Sequence, residues 1–138
     1  MFYVIVQFSA ILFLLTQVNI NQLSTLAIGL IILAVIIGLT ALIHMQPKNL
    51  NITPALKPHH QLITHGIYRY VRHPMYTSVI LFCLALMLSN NTWMTQLVML
   101  ILVLDLWFKS KREEVLLSER FPHYQPYRER TGRFLPFL

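Results

Sequence analysis

Lysine and arginine are absent from residues 1–47 and again from Pro74 to Phe108, and all eleven of them fall in the two remaining segments. Lys48, Lys57, Arg69 and Arg72 occupy the first; Lys109, Lys111, Arg112, Arg120, Arg128, Arg130 and Arg133 occupy the second. The charge-poor stretches between them read as four apolar runs. In lipid, backbone N–H and C=O groups must be satisfied within the segment, so such runs form helices. Four crossings is an even number, which places both basic segments on one face, the cytoplasmic one by the positive-inside rule. The expected architecture is all-α. It is a polytopic membrane protein with about four transmembrane helices, a cytosolic loop, a C-terminal cytosolic helix and both termini in the cytosol (at the inner membrane, if the source is bacterial).

Composition narrows the function. Hydrophobic residues make up 56% of the chain and charged ones 12%, well away from an ordinary soluble domain. A net charge of +6 can suit nucleic acid. Here the charges alternate with apolar runs, and a basic face beside anionic headgroups explains them better. Cys83 is the single cysteine and lies inside the third run, so no intrachain disulfide and no CxxC metal site is expected. The first run lacks a basic n-region and a small-residue cleavage site, and reads as a retained helix rather than a signal peptide. The length suits one domain over residues 1–138. Its predicted parts are a helical hairpin at 1–45, a loop at 46–73, a second hairpin at 74–108 and a helix and tail at 109–138.

The predicted helices are Phe2 to Val18 and Leu23 to Met45, joined by the polar link Asn19 to Gln22, then Pro74 to about Leu88 and Trp93 to Phe108, joined by Ser89-Asn90-Asn91-Thr92. At about 1.5 Å per residue the second reaches roughly 34 Å and the third only about 22 Å, against a hydrocarbon core of roughly 30 Å. The short third helix suggests a recessed floor for a site on the cytosolic side. Trp93 and Trp107 sit near the ends of the fourth run, as interfacial anchors do. The loop from Gln46 to His73, broken by Pro47, Pro54 and Pro58, is too long for a plain connector.

Chemistry concentrates in two places. His65-Gly66-Ile67-Tyr68-Arg69-Tyr70-Val71-Arg72-His73-Pro74-Met75-Tyr76 crowds basic and aromatic residues against a helix start. A basic interface anchor explains the composition. The order explains more, since a glycine followed by a helix N-terminus offers close backbone approach and unpaired N–H donors. His73 reads as an interface residue rather than a core one. Lys109 to Arg120 reads as a solvated charged helix, with Asp105 pairing to Lys109 at i,i+4. Glu113 and Glu114 point about 100° apart, so at most one faces any site.

Taken in order, these residues resemble a known family. Gly66, Tyr68, Arg72-His73-Pro74 and Tyr76 come first. Glu113-Glu114 with Leu117, then Phe121, Tyr124 and Tyr127, and finally Arg133-Phe134-Leu135-Pro136 follow. The set is similar to isoprenylcysteine carboxyl methyltransferases and their phospholipid methyltransferase relatives, over roughly Pro58 to Pro136. The resemblance implies a cytosol-facing pocket for S-adenosylmethionine and a lipid-side entry for the methyl acceptor. It assigns His60, Gln61, Leu62 and Ile63, with Gly66, Tyr68 and His73-Pro74-Met75-Tyr76, to the cofactor, closed by Glu113 or Glu114. Counting back from Phe121 favours Glu113. On the acceptor side it implies Lys109, Arg112 and Ser78, with Thr77, Ser78 and Cys83 facing Leu104 and Phe108 across a lipid-accessible opening. The expected partners are the bilayer and a lipophilic acceptor (an isoprenylcysteine-like carboxylate, a phospholipid amine or a small thiol), with no nucleic acid and no metal.

Departures from the family pattern bear on the acceptor. Ile67, Ser78 and Pro122 stand where proline or glycine is usual. Lys109, near the position of an acceptor-contacting arginine, lacks that residue's bidentate fork. The alternatives are a membrane reductase of the sterol-reductase kind, using a nicotinamide cofactor, and a non-catalytic membrane scaffold.

Overall fold

A computed structural model describes residues 1–45, 49, 53 and 55–138. Gln46, Pro47, Lys48 and Pro54 of the predicted loop lie outside the described residues. Five α-helices follow one another: α1 (Phe2–Gln17), α2 (Thr25–His44), α3 (Pro74–Ser89), α4 (Trp93–Arg120) and α5 (Tyr124–Arg130). Among the described residues the extended backbone amounts to an isolated bridge between Val71 and Gly132. The first three apolar runs become helices within two residues of their expected limits, the fourth starts where expected, and local chemistry sets the ends. Ser24 caps α2 by accepting from the Ala27 N–H at 3.2 Å. Thr92 and Thr95 form a capping box at the start of α4, and Pro74 opens α3, where its missing N–H costs nothing. The fourth run and the charged helix after it are one element of 28 residues, about 42 Å long at 1.5 Å per residue. The helix α5 was not anticipated; its segment reads from sequence only as a Pro- and aromatic-rich tail.

Helix α3 is the centre of the bundle, with α2 on one side and α1 and α4 on the other, while α1 and α2 have scarcely any contact. The α2–α3 seam is built from small residues. Ala27, Ala34 and Ala41, seven residues apart, are the buried positions of α2. Ser78 of α3 donates to the Ala34 carbonyl at 2.7 Å. Gly38 makes room for that bond, since a Cβ there would sit 2.8 Å from the Ser78 Oγ. Close backbone approach through small side chains, tied by a hydroxyl, is how helices associate where no hydrophobic drive separates side chain from lipid. Leu14, Cys83, Leu86, Leu102 and Leu106 form the apolar core between α1, α3 and α4. At the far end Asn90 Nδ2 donates to the Gln17 carbonyl at 2.9 Å, and Ser89 Oγ accepts from the Asn19 N–H at 3.2 Å, joining the two turns.

The outer faces of α1, α2 and α4 expose Phe8, Leu12, Ile32, Ile36, Leu39, Leu100 and Leu104 among many large apolar side chains. Contiguous apolar surface of that extent is far beyond what a water-facing monomer shows, and it suits lipid. Two helices, α2 and α4, are long and apolar enough to cross a membrane; α1 and α3, at 16 residues each, are apolar but shorter.

Candidate active site

The loop before α3 is held in place by the chain's last residues. Gly66 enters the short 3₁₀ turn Gly66–Arg69 at φ +61°, and a Cβ there would run into the ring of His44 at the end of α2. The position therefore requires glycine on both conformational and steric grounds. After this turn the loop pairs with the tail. Arg72 N–H donates to the Gly132 carbonyl at 2.8 Å, His73 N–H to the Arg133 carbonyl at 3.0 Å, and Gly132 N–H to the Tyr70 carbonyl at 3.0 Å. Thr77 Oγ1 donates to the Phe134 carbonyl at 2.6 Å, and the Tyr127 hydroxyl to the Tyr68 carbonyl at 2.7 Å. The Arg72 guanidinium adds bonds to the Arg128 and Thr131 carbonyls.

Two neighbouring carboxylates on the charged part of α4 receive opposite surroundings. Glu114 is 3% exposed and takes Arg72 Nε at 2.9 Å, Arg133 Nη2 at 2.8 Å and His73 Nε2 at 3.2 Å. Burial alone would raise its pKa. The hydrogen bonds from His73, Arg133 and Arg72 outweigh that and hold it far below the usual carboxylate range. Glu113 accepts from the Tyr76 hydroxyl at 2.5 Å, with His73 Nδ1 3.6 Å away. Its pKa is raised by burial, which the charge of His73 and the Tyr76 bond only partly offset. His73 itself is buried rather than interfacial, stacked on Tyr76 with ring planes 2° apart and edged by Phe134.

Glu113 stands at the wall of two adjoining cavities. The smaller, about 100 Å³, is lined by His60-Gln61-Leu62-Ile63, Tyr68, His73 and the tyrosines of α5. The larger, about 560 Å³, is lined by Tyr68, His73-Pro74-Met75-Tyr76, Lys109 and Leu117, with Gln7 and Phe8 reaching in from α1. A cavity of this size, mostly apolar with a few convergent polar groups, is of the kind that holds small ligands. Around the smaller one, His60 Nδ1, the Tyr68 hydroxyl and the Tyr124 hydroxyl are buried without a hydrogen-bond partner among the described residues. Buried polar atoms are rarely left so, because each forfeits its hydration. Burial keeps both phenols above their ordinary range, and therefore as O–H donors. Burial, with the charges of Arg120 and Lys57, lowers the His60 pKa and favours the neutral ring.

Most of the residues that sequence assigned to a cofactor converge here. Gly66 shapes the loop from behind, and Glu114 faces the arginines instead of either cavity. Of the three assigned to an acceptor, Lys109 lines the larger cavity. Arg112 is exposed and lines neither, and Ser78 is committed to the α2–α3 seam. Thr77 and Cys83 are buried and line neither of these two cavities. The i,i+4 pair is absent too. Lys109 Nζ donates to Gln7 Oε1 at 3.0 Å, Asp105 Oδ2 is left without a partner, and Lys109 and Ser110 are buried rather than solvated.

Sequence reasoning also missed Asn49, which brackets the Gln61 backbone by accepting its N–H at 2.9 Å and donating to its carbonyl at 2.7 Å. It missed Gln7 as well, an uncharged residue in an apolar run with no local signal beyond its polarity.

The chain matches the phospholipid methyltransferase family over residues 23–123, from just before α2 to the start of α5. It is also similar to probable protein-S-isoprenylcysteine O-methyltransferases of rice, Oryza sativa subsp. indica and subsp. japonica. Each is 37% identical over 86 residues, 57% of this chain and 42% of the relative. The aligned part is thus about two fifths of the length of those relatives. The matched segment takes in the loop of His60 to Tyr76 and the Glu113 that build the cavities, and with that span covered the chain belongs to the phospholipid methyltransferase family.

Proposed function

We propose that this chain is an integral-membrane enzyme with four transmembrane helices. It moves a methyl group from S-adenosylmethionine to a lipophilic or lipid-linked acceptor at the cytosolic membrane face. The observation that carries the reading is the trio of unpartnered buried atoms, His60 Nδ1 and the Tyr68 and Tyr124 hydroxyls, around a cavity adjoining a larger apolar one. This donor set fits the methyl donor. Phenol O–H groups suit its carboxylate or ring nitrogens, a neutral imidazole suits a ribose hydroxyl, and Glu113 suits its ammonium.

S-adenosylmethionine, when bound, supplies a methyl group on a positively charged sulfur. The face of Tyr68 attracts such a cation. The Tyr76 hydroxyl and His73 hold the Glu113 carboxylate in one orientation, and much of the rate of a displacement comes from holding the reacting groups in line. Lys109 is on the wall of the larger cavity, and we assign it to the acceptor.

Equilibrium binding of radiolabelled S-adenosylmethionine and of NADPH to the detergent-purified chain tests the reading. Saturable binding of the first alone is expected; binding of NADPH alone would replace it with a reductase. For topology, reporters fused at Asn21, Lys57, Asn91 and the C-terminus should read outside, inside, outside and inside. An outside signal at the C-terminus would overturn the four-helix arrangement.

A further inference from the structure

Lys109 stands out among the cations of this molecule. It is 2% exposed, yet no carboxylate oxygen lies within 4.0 Å of its Nζ among the described residues. Its hydrogen bond goes to a neutral amide, Gln7 Oε1 at 3.0 Å, and its other contact is the face of Tyr76, 5.0 Å from the ring centroid. An ammonium has three N–H donors, and burying it without an anion is costly. Glu113 and Asp105 favour its charge from a distance, but neither forms an ion pair with it among the described residues. Glu113 is engaged by Tyr76 and His73, and Asp105, one turn back, does not line the cavity. Both Gln7 and Lys109 do. Gln7 belongs to α1, outside the segment matched to the family.

We propose that Gln7 is a positioning residue for acceptor choice. It holds the Lys109 ammonium at the wall of the larger cavity, so that the cavity takes an amphiphile with an anionic head, a carboxylate or a thiolate, over one with a cationic amine. The proposal rests on the methyl-transfer reading above. For a head that is already ionised, as a carboxylate is at neutral pH, the reaction then balances without a base; a thiol first gives its proton to solvent as it binds beside the ammonium. The anionic oxygen or sulfur forms a bond to the methyl carbon, the sulfonium–methyl bond breaks, and its electron pair stays on sulfur, leaving a neutral thioether. No proton moves in that step, and opposite charges annihilate in an apolar cavity. An ammonium head would first have to lose a proton beside a second cation.

The test uses the full chain in phosphatidylcholine nanodiscs and three probes with one chain length: dodecanoate, dodecanethiol and dodecylamine. Saturable binding and methylation are both read, and S-adenosylmethionine binding is measured separately. If the parent fails to bind S-adenosylmethionine, the enzyme reading falls. If it binds, the head-group preference decides the present inference. Dodecanoate or dodecanethiol should bind at least about tenfold more tightly than dodecylamine, the scale of one charge-assisted hydrogen bond, and the better of the two names the anion. Gln7→Glu, nearly isosteric, supplies Lys109 with a resident anion. It should abolish the preference by raising the KM for the anionic probe, while cofactor binding and thermal stability stay at parental values. Lys109→Arg should retain the preference and Lys109→Gln should lose it. A parental preference for dodecylamine, or a preference unchanged in Gln7→Glu, would overturn the proposal.

Discussion

Two adjacent residues of α4 divide the end of the molecule that carries α5 into a region that is complete and a region that is not. Around Glu114 every carboxylate oxygen meets a cation, and Arg72, one of the two arginines that bond it, also takes carbonyls of the tail. Around Glu113, a turn of about 100° away, the wall holds phenol and imidazole atoms with nothing to bond. Equal chemistry in the side chains thus leads to unequal roles. A carboxylate whose partners are all built in contributes to folding, and one that faces unpartnered donors is available to a ligand.

The sharpest way to break this comparison is to remove the saturated member. Glu114→Ala leaves Arg72 and Arg133 buried without their anion, and removing one partner of a buried pair costs about 3–5 kcal/mol. A large drop in thermal stability is expected, read by fluorescence-detected unfolding in detergent. A parental melting temperature would mean that the cluster is not structural. Glu113→Gln should do the reverse. S-adenosylmethionine binding by titration calorimetry should weaken by about 1.5–3 kcal/mol, with the melting temperature nearly unchanged. Equal effects of the two substitutions on both readouts would erase the distinction drawn here.

Acid sharpens the same contrast. The Glu113 pKa is raised, so falling pH gives this group a proton, which favours the folded state slightly and removes an acceptor for the cofactor. The Glu114 pKa is depressed, so its stabilisation is complete above the ordinary carboxylate value and is lost only as pH falls through its lowered one. As pH falls toward the ordinary carboxylate value, cofactor affinity should therefore decline while the melting temperature holds. A parallel decline in both would contradict the assignment. The smallest expected effect is that of Tyr68→Phe. Its hydroxyl has no partner among the described residues, so stability should be unchanged or slightly improved, while cofactor binding loses about 0.5–1.5 kcal/mol, one neutral hydrogen bond.

The helices were legible because runs without charge admit little else in lipid, and the caps at Ser24 and Thr92 are local. The ordered motif also placed His60 to Ile63, Tyr68 and His73 to Tyr76 at one site. What stayed hidden depends on partners far along the chain. Asp105 and Lys109 have ideal spacing for an ion pair on an isolated helix, yet Gln7 captures the lysine from 102 residues away. The 100° rule allowed only one of the two glutamates to face the cavity. Which one is decided by where Arg72 and Arg133 converge, and that is a property of the assembled loop and tail. Tyr124-Gln125-Pro126-Tyr127 carries a proline and a short period, a weak helix signal. Its two tyrosines become buried because loop and α4 surfaces await them.

The pairing of Tyr70 to His73 with Gly132 and Arg133 has a consequence for how the molecule comes into being. A ribosome releases residues 131 to 134 only after all four long helices have been made. Until then the loop before α3 lacks the strand that aligns His73, and Glu114 lacks one of its arginines. Insertion into the membrane and acquisition of the site are therefore separate events in time. A chain stopped after Arg130 should reach the bilayer, resist extraction like the parent, and bind no S-adenosylmethionine.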